Sequence, residues 1–321
     1  MALTYDNPCV RSLLDPNSIA VPDKSFLKQV IMSNESPIAA KLSAISFCRD
    51  IPTNDATEIL LDSLKIHFDP LIRHEIIYAI GQAICFSAWP QIIEILEDES
   101  EDFIVRHEAA EALATMKCVE SLPVIKKYLN HPLKPIRDTC ILSEHSLNQS
   151  NESNVHEHSK NYITIDPVQA NYSQDLTSID CEIKLLNDQS AELYARYKSL
   201  FYFRSLNSND SIKIIGEAMI NDKTSEVFRH ECAFVLGQLQ NPLSYIYLIK
   251  CLENVNESPM TRHEAAIALG SVASNIIQNN RENEVINEIR ESLIKFSDDP
   301  SGIVANSCTV ALDNIEFANF F

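Results

Sequence analysis

Arg106-His107-Glu108-Ala109-Ala110-Glu111-Ala112-Leu113 returns almost unchanged as Arg262-His263-Glu264-Ala265-Ala266-Ile267-Ala268-Leu269. Two more copies of the head of this string stand at Arg73-His74-Glu75 and Arg229-His230-Glu231. His74 and His107 are 33 residues apart, as are His230 and His263, and the two pairs are offset by 156 residues. Small alanines alternate with larger aliphatics at helical spacing, as closely stacked helices require. Self-similarity at a period of roughly 20–50 residues is the mark of a repeat architecture.

The unit extends beyond the His-Glu pair. Ile80-Gly81-Gln82 corresponds to Leu236-Gly237-Gln238, and a further helical segment precedes each copy, Asp55 to Leu64 before the first and Asp210 to Met219 before the third. A helix–turn–helix of roughly 30 to 40 residues is in the range of HEAT-type repeats. Degenerate copies continue outward. Arg49 and Arg204 sit in related contexts, and Ile136-Arg137-Asp138-Thr139-Cys140 resembles Val304-Ala305-Asn306-Ser307-Cys308. The expected fold is therefore all-α, a HEAT-type helical-repeat solenoid in two pseudo-symmetric halves of about four helical pairs each, with atypical outer repeats as caps.

The boundaries expected from this pattern are an N-terminal extension over residues 1–36, an N-terminal half over 37–147, a polar linker over 148–180 and a C-terminal half over 181–321. Asn148 to Gln174 is rich in Asn, Ser, His and Asp and is poorly suited to bury a core. It carries His156-Glu157-His158, a second histidine cluster that lacks both a repeated partner and a rigid scaffold. The apolar run from Ile76 to Ile93 contains Gln82 and Pro90 and is short for a membrane span of about 20 residues, so it reads as two core helices meeting near Pro90.

Composition narrows the function. The chain of 321 residues is 45% apolar with only five glycines, and it carries 45 acidic against 26 basic residues, a net charge of −19. Nucleic acid is not an expected partner, since phosphate contact needs a basic footprint. An acidic surface favours solubility or the steering of a basic partner. The nine cysteines are scattered with no Cys-x-x-Cys pair, and the start has no signal-peptide pattern, so the expected location is cytoplasmic with reduced thiols and no membrane partner.

Four of nine histidines, each followed by a glutamate, recur in register. Adjacent helical residues point about 100° apart, so one His-Glu pair is badly placed to chelate an ion through both side chains. Inner helices of stacked repeats lie about 8–10 Å apart, and histidines from successive repeats can then converge, with a glutamate completing a site. Each half could hold one metal with two histidines and at least one glutamate. No cysteine stands at the repeated His-Glu positions, and mixed imidazole and carboxylate ligation with open positions suits non-haem iron, manganese or zinc. The arginines of the string read as scaffold, pairing with acidic groups between repeats.

The four His-Glu pairs, their 33-residue spacing, the two halves and the linker resemble the deoxyhypusine hydroxylase family. The resemblance extends over roughly Pro37 to Phe317. It includes Phe228-Arg229-His230-Glu231-Cys232-Ala233-Phe234-Val235-Leu236-Gly237-Gln238-Leu239-Gln240, Val105 to Leu113, Ile165-Asp166-Pro167, and Leu193 to Phe201. It implies a eukaryotic monooxygenase that hydroxylates the deoxyhypusine side chain of a translation factor to hypusine. The implied cofactor is two Fe(2+) ions per chain, with dioxygen as co-substrate and an external electron donor. Carried over residue by residue, His74, His107 and Glu108 would be metal ligands in one half and His230, His263 and Glu264 in the other, while Glu75 and Glu231 would bind substrate. No catalytic residue beyond the metal centre is implied. Whether an ion takes all its ligands from one half stays open. The chain departs from the pattern at Ala112-Leu113-Ala114, where related copies carry Gly81, Gly237 and Gly270, and at Ile267, which stands where Glu111 has its counterpart. Two other functions compete: a non-catalytic HEAT-repeat adaptor and a bilin-lyase-like repeat protein, neither of which needs paired ligands.

Overall fold

The structure is a computed structural model that describes residues 10, 13, 22–51, 54–149, 164–168, 179–279 and 284–318. Among these there are sixteen α-helices, three short 3-10 turns and no strand. The chain divides into two compact units, Met1–Ile165 with Glu316–Phe321, and Asp166–Ile315. The all-α repeat architecture read from the sequence is the observed one.

Unit 1 is built from α1 (Lys24–Met32), α2 (Ile38–Asp50), α3 (Asn54–Leu64), α4 (Pro70–Gln82), α5 (Trp89–Glu97), α6 (Phe103–Thr115), α7 (Leu122–Lys127) and α8 (Lys134–Gln149). These pair as α1 with α2, α3 with α4, α5 with α6 and α7 with α8, while α2, α4, α6 and α8 stack in sequence as the inner layer. α1 lies inside the stretch expected to be an extension. It buries Leu27, Val30 and Ile31, an i, i+3, i+4 stripe, and packs on α2 and α3. α8 runs to Gln149, just past the expected start of the linker.

Unit 2 repeats the order with α9 (Ile179–Asn187), α10 (Leu193–Leu206), α11 (Asn209–Asn221), α12 (Glu226–Leu239), α13 (Tyr245–Glu253), α14 (Pro259–Gln278), α15 (Glu284–Phe296) and α16 (Gly302–Ala318). α10 packs on α12, and α12 on α14.

The inner helices are buried nearly all round. In α6 every residue from Ile104 to Thr115 except Glu111 is buried. Such a helix gains no stability from a polar face, so polar groups on it must find partners inside the protein. Close approach is set by small residues. A Cβ added at Gly81 would lie 2.9 Å from Cα of Ala112, and one at Gly237 would lie 2.9 Å from Cβ of Ala268.

The expected break near Pro90 falls earlier. α4 ends at Gln82, and Ile84 takes a left-handed φ of 52°. Cys85 N–H donates to Ile80 O and Ile84 N–H to Gly81 O, which is a Schellman cap. Pro90 sits in the first turn of α5, where its missing N–H costs nothing. Lys117 and Gln240 hold the same left-handed place after α6 and α12.

The arginines have the scaffold role read for them. Arg106 Nε donates to Leu96 O at 3.0 Å and Arg262 Nε to Leu252 O at 2.9 Å, each capping the outer helix of its own pair. Arg196 does the same to Leu186 O. In Arg196 and Arg262 Nη2 then pairs with Asp222 and Asp299, each at 2.7 Å, whereas Arg73 and Arg229 give both Nε and Nη2 to Glu101 and Glu257.

Candidate metal centre

Local rules place the four histidines alike. Asp69, Asp102, Ser225 and Ser258 are the N-caps of α4, α6, α12 and α14, and each accepts a hydrogen bond from a backbone N–H of the first turn. His74, His107, His230 and His263 each lie five residues past their cap, in the second turn. A shared start and a rise of about 1.5 Å per residue put the two histidines of each unit at one level of that unit's inner layer.

In unit 1 the packing of α4 on α6 brings His74, His107 and Glu108 together, with one ligand atom from each lying within 4.8 Å of the others. His74 Nε2 is 3.2 Å from Glu108 Oε2, and His107 Nε2 is 4.0 Å from the same oxygen. The two rings are nearly parallel, their centroids 6.5 Å apart. His107 is fully buried, and His74 and Glu108 are nearly so. Glu75 is less enclosed, with a quarter of its side chain exposed, and its Oε1 lies 3.3 Å from His74 Nδ1.

Two residues beyond the sequence-derived set enter the geometry. Thr139 of α8 places Oγ1 2.5 Å from His107 Nδ1. This contact orients the ring so that Nε2 faces Glu108. Glu111 places Oε2 3.9 Å from His107 Nε2. Both had a signal in the sequence: Thr139 belongs to the Thr139/Ser307 pair of the outer motif, and Glu111 stands four residues after His107, the helical spacing for a shared face.

The electrostatics call for a cation. Burial alone would push the His74 imidazole down, but Glu108 and then Glu75 outweigh it and hold His74 well above the ordinary histidine value. Burial, with Glu108 adding to it, pushes the Glu111 carboxyl up to about 8, and His74 only partly opposes this. Several carboxylates round buried imidazoles make a place where positive charge is favoured. Two imidazoles and a carboxylate, with no thiol, form the donor set expected for iron, manganese or zinc.

Unit 2 repeats the core of this arrangement. His230 Nε2 is 3.7 Å from Glu264 Oε2, matching the His74–Glu108 contact, and the His230 and His263 rings are 5.4 Å apart at 40°. His230, His263, Glu264 and Glu231 are all buried. Glu231 is thus more deeply placed than Glu75. Cys232 is buried in the core and its thiol is pushed well up by that burial, which suits a structural role. His156-Glu157-His158 lies outside the described residues.

Comparison with known proteins shows the family. A HEAT-repeat family matches residues 57–143. Deoxyhypusine hydroxylase of Schizosaccharomyces pombe is 37% identical over 255 residues, 77% of this chain and 76% of that protein. The protein of the same name from Plasmodium vivax is 38% identical over 316 residues, 91% of each. The chain belongs to the deoxyhypusine hydroxylase family. The solved structure of human deoxyhypusine hydroxylase in complex with glycerol superposes with a TM-score of 0.82 at 28% identity, covering 91% of this chain and 96% of that one. Family membership makes this chain an enzyme and disfavours the adaptor and bilin-lyase-like alternatives. Among the described residues no helix is long and apolar enough to cross a membrane.

Proposed function

We propose that this chain hydroxylates the deoxyhypusine side chain of a translation factor, completing hypusine, with Fe(2+) held in each unit. The observation that carries the proposal is the buried convergence of His74, His107 and Glu108, in a chain related to deoxyhypusine hydroxylases. His74, His107 and Glu108 would hold one ion, and His230, His263 and Glu264 the other. Bound iron supplies the activation of dioxygen that an unactivated C–H bond demands.

The remaining steps belong to the protein's own residues. Deoxyhypusine is a long cationic amine, and Glu75 and Glu231 are the carboxylates of the repeated pairs that the ligand set leaves over. They would hold its ammonium groups by charge-assisted hydrogen bonds, fixing the carbon to be hydroxylated. The partial exposure of Glu75 beside His74 supports that role. One oxygen atom of dioxygen enters the C–H bond and the other leaves as water. That balance takes two electrons and two protons from an external donor. The net charge of −19 would speed encounter with a basic protein substrate. Free thiols at all eight described cysteines support a reducing, cytoplasmic setting.

The test is metal content and an absorption spectrum in air, followed by turnover on the deoxyhypusine-containing factor. Two irons per chain, a visible charge-transfer band and hydroxylated product are expected. Metal-free protein from an iron-replete preparation, with no binding on reconstitution, would overturn the proposal.

A further inference from the structure

The two units do not offer an ion the same surroundings. On α6, Glu111 follows His107 by four residues, and its Oε2 lies 3.9 Å from His107 Nε2, as near as Glu108 Oε2 at 4.0 Å. The reason is helical. Residues four apart differ by only about 40° in direction and share a face, whereas Glu108, the next residue, must reach sideways. In unit 2 the corresponding residue of α14 is Ile267. The other two helices with a His-Glu pair, α4 and α12, carry Tyr78 and Phe234 at this place. Glu111 is therefore the single carboxylate among the four equivalent positions. Its side chain is mostly covered, with 18% exposed, on the face it shares with His107. Unit 1 sets three carboxylates, Glu75, Glu108 and Glu111, about its two histidines. The repeated string of unit 2 brings two, Glu231 and Glu264.

We propose that Glu111 is a further metal-holding residue, so that unit 1 binds a divalent cation more tightly than unit 2 and fills first. The inference rests on the reading of both units as metal sites. A carboxylate on the ligand face adds negative charge and an oxygen donor, directly or through a bound water, where a hard divalent ion is favoured. Ile267 offers neither. Unequal affinity makes loading ordered: a half-loaded chain carries its ion in unit 1.

The test is anaerobic Fe(2+) binding to metal-stripped full-length protein, read by chelator competition, with no reliance on turnover. Wild type is expected to show two classes of site. Glu111→Gln, which keeps shape and removes charge, is expected to weaken the tighter class by roughly tenfold, the low end of what losing a ligand-supporting group costs. Ile267→Glu is expected to tighten the weaker class. His107→Ala, which removes a proposed ligand, should abolish the tighter class and leave the weaker one, which assigns the class to unit 1. Two ions bound in wild type with both affinities unchanged in Glu111→Gln and in Ile267→Glu would overturn this inference and leave the metal reading standing. No Fe(2+) bound by wild type would overturn the metal reading and this inference with it.

Discussion

The Thr139 hydroxyl on α8 lies 2.5 Å from Nδ1 of His107 on α6, so the fourth inner helix of unit 1 orients a histidine whose other nitrogen faces Glu108. With Nε2 reserved for a metal, Nδ1–H donates to Thr139 Oγ1. Thr139→Val keeps the shape and removes the acceptor. Metal affinity should fall roughly tenfold, and stability by about 1 kcal/mol. Thr139→Ser should restore both. Chelator competition and chemical denaturation measure the two effects, and a valine variant with unchanged affinity would remove Thr139 from the site.

The ligand and substrate roles separate by readout. His107→Ala and His263→Ala should each lose iron, by more than the roughly 10–100-fold that an outer partner is worth. Glu75→Ala should retain iron and lose turnover. Iron analysis beside a hydroxylation assay decides it, and normal turnover in Glu75→Ala would sink its proposed role.

Gly81→Ala tests how packing sets the site. The new methyl would meet Ala112 Cα at 2.9 Å, backbone that has no free rotamer to yield. α4 and α6 must move apart, at a cost of roughly 1–3 kcal/mol for overpacking. His74 and Glu108 sit on those two helices, so iron binding should weaken along with stability. Lost stability with unchanged iron affinity would show that the site tolerates helix displacement.

Asp222 gives the acid dependence of unit 2. Burial alone would raise its carboxyl, but the Ser225 N–H, Arg196 and the Thr224 N–H outweigh this and hold it below the ordinary 3.8. A depressed carboxyl contributes its full stability above pH 3.8 and loses it as pH falls further, through the folded-state value. Asp222→Asn should cost roughly 3–5 kcal/mol at pH 7, because it strands the buried Arg196 guanidinium. Denaturant titrations of both proteins at pH 7 and near pH 3 test this. The gap between them should narrow in acid, and an unchanged gap would contradict the assignment.

Much of the architecture was legible in the string itself. Four copies at a 33-residue spacing called for stacked helical pairs, and the caps Asp69, Asp102, Ser225 and Ser258 started the inner helices in the same register. Ends were less legible. Pro90 looked like the break between two helices, yet the chain turns at Ile84, because a β-branched residue at positive φ gives no signal in sequence and a proline in a first turn does not end a helix. α1 falls in the residues 1–36 that read as an extension, since it carries no His-Glu pair, although its Leu27, Val30 and Ile31 stripe follows helical spacing.

By itself, then, the sequence determined the repeat, the all-helical class, the equivalence of the four histidines and the scaffold role of the arginines, since all of these rest on periodicity along one chain. Tertiary structure alone decided which carboxylate faces which imidazole. His74 meets Glu108, 34 residues later, at 3.2 Å, while its neighbour Glu75 stays partly exposed on the other ring nitrogen. Consecutive helical side chains diverge by about 100°, so the second partner has to come from the adjacent helix. How near that helix comes is set by Gly81 against Ala112, a contact between residues 31 apart.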